Sequence, residues 1–484
     1  MTNFTYTPTG TGAVTRDAAN KLRELVSVLD YIPETEHAAI FARTSSYDCT
    51  TAFQNAANIG RGVFVPRGQY KISSTVDLIA CPILIGDGFS EDVTVSTVIL
   101  WTGAAAPMFE VRNLQTQIRN LMLLGGSAAD CAIRAIGGNS SVFDCLTIKE
   151  TRSDGIRFDA VGTNSLARVS NSVIRDLGTT FSTGTATNGA GATVVMIEDA
   201  GIDLSTLPIR VGLDLVKVGA GPAHTIIGVG ADGLTVSQPL PAANTDVAYQ
   251  ILMGHGVAIV GYGDNSAICL DKVTFLNCKA SGVRDNAAFG AHARDNAYEG
   301  CGYGRVIGLA GNINRGAIEI GGYFEGSTAG ADIMIEAGSE SRTEPAISDK
   351  AAFENIYFPD PADVGSPVVE TWATRAEGKV VLKTNETNVN VDFGAAWHFV
   401  QSSAAPNCTI NLPAVNGLNR KALFSQLEAK ILLLFLNTGG RTFTVKSPDT
   451  NVNGVAGTTG IAVTGSWIKR EARLDPGYGW VVTG

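Results

Sequence analysis

Apolar and polar residues alternate over short stretches along the chain, and turn residues separate these stretches. Between Gly256 and Phe358 each stretch is a loose copy of the one before, and no helical periodicity intervenes. Two aromatic-Glu-Gly units repeat there, and their glutamates, Glu299 and Glu325, are 26 residues apart. Repeats of about 20–50 residues made of short strands are typical of solenoids, whose coils pack on their neighbours. The pattern predicts an all-β fold with a parallel β-helix as its body.

A stretch in the middle of the chain interrupts this rhythm. Residues 178–253 contain longer alternating runs with tight turns, which is typical of antiparallel strands. We therefore expect a small inserted β-domain there, projecting from the β-helix. The first part of the β-helix, with a helical cap over residues 48–59, is predicted over 48–177, and the second part, with the putative active region, over 254–358.

The two ends of the chain differ from the body. Residues 1–47 are predicted to form a flexible lead-in and a short helical neck, because apolar residues at heptad spacing indicate a helix from Thr15 to Leu29. Residues 359–377 contain three prolines and are predicted to be a linker. Residues 378–484 carry short strands between turn residues, which predicts a C-terminal β-sandwich for trimerisation or receptor contact.

Composition narrows the choice of partners and compartments. The 484 residues include 55 glycines and only 7% aromatics, which suits a turn-rich all-β protein. The net charge of −10 and the lack of a basic run argue against nucleic acid. We find no apolar run of the roughly 18 residues needed to span a bilayer, and no secretory signal. The eight cysteines are expected to be free thiols, and no metal or cofactor is expected, because the five histidines lack metal-ligand spacing.

The N-terminal region carries a family resemblance. The stretch GAVTRDAANKLRELVSVLDYIPE, followed by an amphipathic helix and the VFVPRGQYKIS hairpin, resembles the start of phage tailspikes and tail-fibre depolymerases of the pectate-lyase-like β-helix class. Ile32–Ser46 replaces the glycine-rich turn that is usual in that family. The resemblance implies a homotrimer of right-handed parallel β-helices that binds, and often cuts, bacterial surface polysaccharide. It also implies a place in the virion tail, joined to other tail or baseplate proteins through the N-terminus.

The repeated glutamates are the candidate catalytic residues. Side chains alternate along a strand, and equivalent positions of neighbouring coils lie about 4.8 Å apart. Tyr298 and Phe324 are therefore predicted to fill the core, while Glu299 and Glu325 stack on the surface. Glycoside hydrolysis needs one protonated and one ionised carboxyl at such a spacing, and Asp295 is the alternative acid. The competing interpretation is that each glutamate only ends a strand before a turn.

Other side chains of the same repeats are candidates for binding sugar. Tyrosine rings stack on sugars, and guanidinium groups bind acidic ones. Ile318 and Ile320 are predicted to face the core, which turns Glu319 outward. The predicted substrate-binding residues are Tyr262, Tyr303, Tyr323, Arg284, Arg294 and Glu319.

Three functions remain open at this point. The first is a phage tailspike that depolymerises capsule or O-antigen by glycoside hydrolysis with the paired glutamates. The second is a polysaccharide lyase on the same fold, acting by β-elimination with the lysine, arginine or tyrosine side chains of the repeats. The third is a receptor-binding tail fibre without enzymatic activity.

Overall fold

Parallel β-sheets dominate the structure, a computed structural model. It describes residues 25–336 except for gaps at 113–114, 160–163, 199–202, 238–239, 241–242, 261–264, 310–313, 315–316 and 330–331; outside that range it describes strand backbones and a few short segments. The chain forms two compact units, one of residues 1–350 and 354–370, the other of residues 351–353 and 371–484. No helix in the described part of the chain is long and apolar enough to cross a membrane.

The first unit is a parallel β-helix, which confirms the predicted fold class. Each complete coil contributes a strand, or half of a longer strand, to each of three sheets. Sheet 1 contains Leu25–Ser27, Gly62–Val65, Ile83–Gly86, the first halves of Gln117–Leu124 and Val142–Lys149, Arg168–Ser170, Cys269–Asp271, His292–Arg294, Ala317–Ile320 and Ser341–Glu344.

Sheets 2 and 3 complete each coil. Sheet 2 contains Gly68–Ile72, Thr97–Trp101, the second halves of Gln117–Leu124 and Val142–Lys149, Val173–Arg175, Thr274–Leu276, Ala297–Glu299, Tyr323–Glu325 and Ile347–Ser348. Sheet 3 contains Val76–Asp77, Phe109–Val111, Cys131–Ala135, Asp154–Phe158, His255–Ile259, Ser281–Asp285, Tyr303–Ile307, Ile333–Ile335 and Ile356–Tyr357.

The sheets meet at corners where one residue takes a left-handed backbone conformation. Asparagine, aspartate and glycine adopt this conformation most readily. Between sheets 1 and 2 the corner residues, with φ from 47° to 71°, are Asn120, Cys145, Asn171, Lys272, Asp295 and Gly321. Between sheets 2 and 3 they include Asp176, Asn277, Gly300 and Gly326, with φ from 52° to 66°. These corners fix where each strand ends and therefore which side chains face solvent.

Stacked side chains of successive coils fill the interior of the β-helix. Phe275, Tyr298 and Phe324 occupy the same position of three neighbouring strands in sheet 2. Their ring centroids are 5.2 Å and 4.7 Å apart in nearly parallel planes, and all three side chains are fully buried. The prediction that Tyr298 and Phe324 fill the core is confirmed.

The start of the chain departs from the sequence-based expectation. Arg16–Asp17 pairs with Thr5–Tyr6, and Leu25–Ser27 is a strand of sheet 1, so the predicted helix from Thr15 to Leu29 is wrong over these residues. Parallel pairing with Gly62–Phe64 outweighs the heptad spacing because it buries the segment against the first coil. Ser27 caps a 3₁₀ turn over Val28–Tyr31.

Two helices cap the first coil of the β-helix. They span Glu34–Phe41, within the Ile32–Ser46 segment that replaces the family's glycine-rich turn, and Thr50–Asn58, where the cap was predicted. The strands Gly62–Val65 and Gly68–Ile72 do not pair with each other as the predicted hairpin. Each pairs in parallel with a strand of a neighbouring coil, because Gly68, at φ 152°, turns the chain from sheet 1 to sheet 2.

The insertion forms one antiparallel sheet of eight strands, which confirms an inserted β-domain. The strands are Thr179–Phe181, Thr185–Asn188, Val194–Glu198, Leu215–Val218, Ala223–Val229, Gly233–Val236, Asn244–Val247 and Tyr249–Met253, and a 3₁₀ turn spans Leu204–Thr206. The β-helix continues across it without a break, since Asp154–Phe158 pairs directly with His255–Ile259. The insertion does not project freely, because Leu215, Ala223 and Leu252 pack on Tyr303, Val306 and Met334 of sheet 3.

The second unit contains two sheets. One consists of Val380–Thr384, Trp397–Ser402, Lys430–Asn437, Trp467–Asp475 and Gly479–Thr483; the other of Asn388–Asn390, Cys408–Asn411, Thr442–Lys446 and Ile461–Thr464. The first three strands of each sheet pair in parallel, unlike the antiparallel strands of an ordinary β-sandwich. Most of the predicted linker 359–377 lies outside the described residues, and Val369–Thr371 within it is a strand.

Candidate functional site

The structure stacks the two repeated glutamates on the outside of sheet 2. The strands Ala297–Glu299 and Tyr323–Glu325 each place an aromatic residue inward, a glutamate outward and a left-handed glycine next. Glu299 pairs directly with Glu325 in the strand register. Neighbouring parallel strands lie about 4.8 Å apart. The predicted register of this glutamate pair is therefore confirmed, and its catalytic role stays a prediction.

The two members of the glutamate pair have different surroundings. Glu325 is exposed and accepts a hydrogen bond from the hydroxyl of Tyr323, which is two residues earlier on the same strand. Glu299 is half-buried and aligned with Leu276 of the preceding coil. Within the part of the chain that the structure describes, no side chain donates to the Glu299 carboxylate.

Asp295 lies at the corner between sheets 1 and 2, on the same coil as Glu299. It is exposed, its φ is 52°, and its backbone N–H donates to the carbonyl of Ile320 at 2.8 Å. A Cβ at Gly321 would lie 2.4 Å from the Asp295 carboxylate, so the aspartate rests on the glycine of the next coil. Its position is fully accounted for by the turn, and its role as the alternative acid remains a prediction.

Two predicted sugar contacts lie on the accessible face beside the glutamate pair. Tyr323 is half-buried next to Glu325, and Arg294 is exposed immediately before the corner at Asp295. Tyr262 lies outside the described residues.

Glu319 does not face outward, so its predicted contact with substrate is wrong. It is fully buried, accepts a hydrogen bond from the Tyr298 hydroxyl at 2.8 Å and forms an ion pair with Arg305 at 3.3 Å. Arg305 also pairs with the buried Asp285 at 2.7 Å. Burial raises the pKa of the Glu319 carboxyl, and the Arg305 guanidinium opposes that shift. Glu319 therefore belongs to an ionic cluster inside the β-helix.

Arg284 and Tyr303 are also buried, so both predictions of substrate contact are wrong. They face outward from sheet 3, but the insertion covers this face. Arg284 Nη2 donates to the carbonyl of Gly212 at 3.0 Å, and the Tyr303 hydroxyl donates to the carbonyl of Ala223 at 2.7 Å. These side chains hold the insertion in place.

The boundary between the insertion and sheet 3 is unusually polar. Arg210 of the insertion pairs with Asp154 of sheet 3 and with Asp214, and Glu336 accepts hydrogen bonds from Thr225 and Ser237. Burial raises the pKa of the Glu336 carboxyl. Since buried ion pairs need complete hydrogen bonding to be tolerated, this network selects one docking position. Sequence reasoning missed it, because its contacts between the insertion and the β-helix join residues that are 56 to 111 positions apart.

The described residues offer no metal centre. No group of three or more His, Cys, Asp or Glu side chains with a geometry suited to a metal ion occurs among them. The seven described cysteines are free thiols.

Comparison with known proteins finds similarity only among solved structures. No family model and no curated protein matches the chain. A tailspike of E. coli bacteriophage HK620, solved with a hexasaccharide, is 10% identical over 93% of this chain and 69% of its own, with a TM-score of 0.39. A GH87 α-1,3-glucanase from Streptomyces thermodiastaticus is 14% identical over 88% and 68%, with a TM-score of 0.35.

A third similar structure is the Geobacillus virus E2 ORF18 protein. It is 13% identical over 95% of this chain, with a TM-score of 0.35, and this chain spans 66% of its length, just under two thirds. At such identities and scores the likeness adds nothing to the fold, which rests on the strand registers above.

Proposed function

We propose that the chain is a phage tailspike that binds and depolymerises bacterial capsule or O-antigen by glycoside hydrolysis, with Glu299 and Glu325 as the catalytic carboxyls. The observation that carries the proposal is the direct alignment of these two glutamates on an accessible face. The strand spacing of about 4.8 Å is close to the roughly 5–5.5 Å between the carboxyls of retaining glycosidases. The resemblance of residues 12–75 to tailspikes supports the choice of substrate.

The surroundings of the pair suit a long polysaccharide. Tyr323 offers an aromatic surface beside Glu325, and Arg294 offers an exposed cation one strand away. Sheets 1 and 2 extend through several coils before the pair and through one further described strand of sheet 2 after it, so a polymer can lie along the outer face. We also propose that the chain acts as a homotrimer attached to the phage tail through its N-terminus. Sedimentation tests the trimer, whose expected mass is three times the 50.5 kDa of one chain.

The test uses a panel of purified capsular and O-antigen polysaccharides. Wild type is expected to shorten at least one of them and to release reducing ends. Glu299→Gln and Glu325→Gln are each expected to lower the rate by about 10²–10⁴-fold, the usual contribution of an acid or base. Glu198→Gln, an exposed glutamate on the insertion, is the matched control and is expected to cut like wild type.

The same assay separates the alternatives. A lyase would release unsaturated products that absorb ultraviolet light. Of its candidate side chains, Arg284 and Arg305 are buried, whereas Arg294 is exposed and Tyr323 is half-buried. A receptor-binding fibre would bind a polysaccharide tightly without shortening it. Equal cutting by wild type and both glutamine variants would refute the assignment of the pair.

A further inference from the structure

The glutamate pair is asymmetric in its hydrogen bonding. The Tyr323 hydroxyl donates to one oxygen of the Glu325 carboxylate, Oε2, so the other oxygen remains available on the accessible face. A hydroxyl that donates to a carboxylate stabilises the ionised form and fixes its orientation. Glu299, aligned one coil earlier, has no such donor among the described residues and lies next to Leu276.

This asymmetry suits two different chemical roles. A nucleophile must be ionised and must present one oxygen to the anomeric carbon, whereas an acid must hold a proton that it can give to the leaving group. Of the two carboxyls, Glu325 is the one held by a side-chain hydroxyl among the described residues, and this contact orients its second oxygen toward the accessible face. The short Tyr-x-Glu spacing on one strand makes this contact local, so it does not depend on another subunit.

Building on the proposed hydrolysis, we propose that Tyr323 is a positioning residue that holds Glu325 as the nucleophile of a retaining reaction, with Glu299 as its acid and base. In the first step the free Glu325 oxygen forms a bond to the anomeric carbon. The glycosidic C–O bond breaks, and the leaving oxygen takes the proton of Glu299. In the second step a water molecule attacks the same carbon, Glu299 accepts its proton, and the bond to Glu325 breaks.

Tyr323→Phe tests the positioning role without removing a carboxyl. The variant keeps the ring and loses only the hydroxyl, so it is expected to fold. We expect kcat to fall by roughly 10²-fold, the cost typical of a misplaced catalytic group, with KM within a factor of about 2.

A matched control shows whether the effect belongs to this tyrosine. Tyr47→Phe removes the hydroxyl of a half-buried tyrosine between the two cap helices and is expected to match wild type in both kcat and KM. A merely structural role of Tyr323 would lower the amount of folded protein without changing kcat or KM per folded molecule. An unchanged kcat per folded molecule in Tyr323→Phe would overturn the positioning role.

Azide rescue assigns the two carboxyls separately. With azide, Glu325→Ala is expected to give a glycosyl azide of inverted configuration, because azide attacks the vacated face directly. Glu299→Ala is expected to give an azide of retained configuration, because azide then attacks the glycosyl-enzyme. Exchanged configurations would overturn the roles proposed here while leaving the hydrolase intact, whereas full activity of both alanine variants without azide would refute the proposed function itself.

Discussion

A substitution at His255 tests how the insertion is held on the β-helix. Its imidazole is fully buried at the boundary, with Nδ1 2.7 Å from the Ser281 hydroxyl and Nε2 3.2 Å from the carbonyl of Leu213. Burial lowers the pKa of His255 from 6.5 to about 3. Among its charged neighbours, Asp154 opposes this shift and Arg210 adds to it.

The lowered pKa makes the folded unit less stable as the pH falls. Below pH 6.5 the unfolded chain binds a proton at His255, whereas the folded chain does not bind it until the pH approaches 3. The stability due to neutral His255 is therefore complete above pH 6.5 and is lost on acidification. At about 1.4 kcal/mol per pH unit, the loss between roughly pH 7 and pH 5 is about 2 kcal/mol.

The measurement is urea unfolding of wild type and His255→Asn at both pH values. The variant is expected to start less stable at pH 7, because it loses buried contacts, and to lose about 2 kcal/mol less than wild type on going to pH 5. Ser281→Ala is the matched control, since it keeps the imidazole and therefore the wild-type slope. Titration of Glu336 and Asp214 is common to all three proteins and cancels in the comparison. A pH dependence in His255→Asn as steep as in wild type would refute the reasoning.

Three further predictions concern the packing of the same unit. Gly178→Ala is expected to lower the unfolding midpoint strongly, because the residue has φ of 85° and a Cβ would lie 1.9 Å from the Met253 carbonyl oxygen; thermal melting measures this, and an unchanged midpoint contradicts it. Arg305→Leu is expected to lower the free energy of unfolding, measured with urea, by about 3–5 kcal/mol, because it leaves buried carboxylates unpaired. An unchanged free energy of unfolding would show that these carboxylates take up protons instead. Deletion of residues 179–253 is expected to give aggregated protein by light scattering, because it uncovers Tyr303 and the other apolar residues that the insertion covers.

Much of the fold was predictable from local patterns. The repeat of short stretches with alternating apolar and polar residues predicts the β-helix. The repeat of the aromatic-Glu-Gly unit predicts the alignment of the glutamate pair. Both signals are local. When the aromatic residue in the middle of a three-residue strand faces the core, the residues on either side of it must face outward. For this reason Tyr298, Phe324, Glu299 and Glu325 all face the predicted way.

The buried charges were not predictable in the same way. Arg284 lies at an outward position of sheet 3, and only the insertion, whose contact at Gly212 is 72 residues away, removes it from solvent. One signal was available: His255–Ile259, Ser281–Asp285 and Tyr303–Ile307 are five-residue strands of sheet 3 that are buried at every position. Strands covered on both faces often lack regular alternation of apolar and polar residues, so an irregular strand carrying an arginine indicates a partner layer.

The orientation of Glu319 shows that the left-handed corner residues predict which side chains face the core more reliably than the apolar residues of the strand do. Ile318 and Ile320 suggested an inward pair, yet both are half-exposed, and Ala317 and Glu319 face the core. In neighbouring coils the residue directly before a corner faces outward, as Arg294 does before Asp295 and Glu299 does before Gly300. Counting back from Gly321 by the same rule places Ile320 outside and Glu319 inside. The left-handed corner therefore decides that Glu299 faces outward from this β-helix and that Glu319 is buried with an arginine.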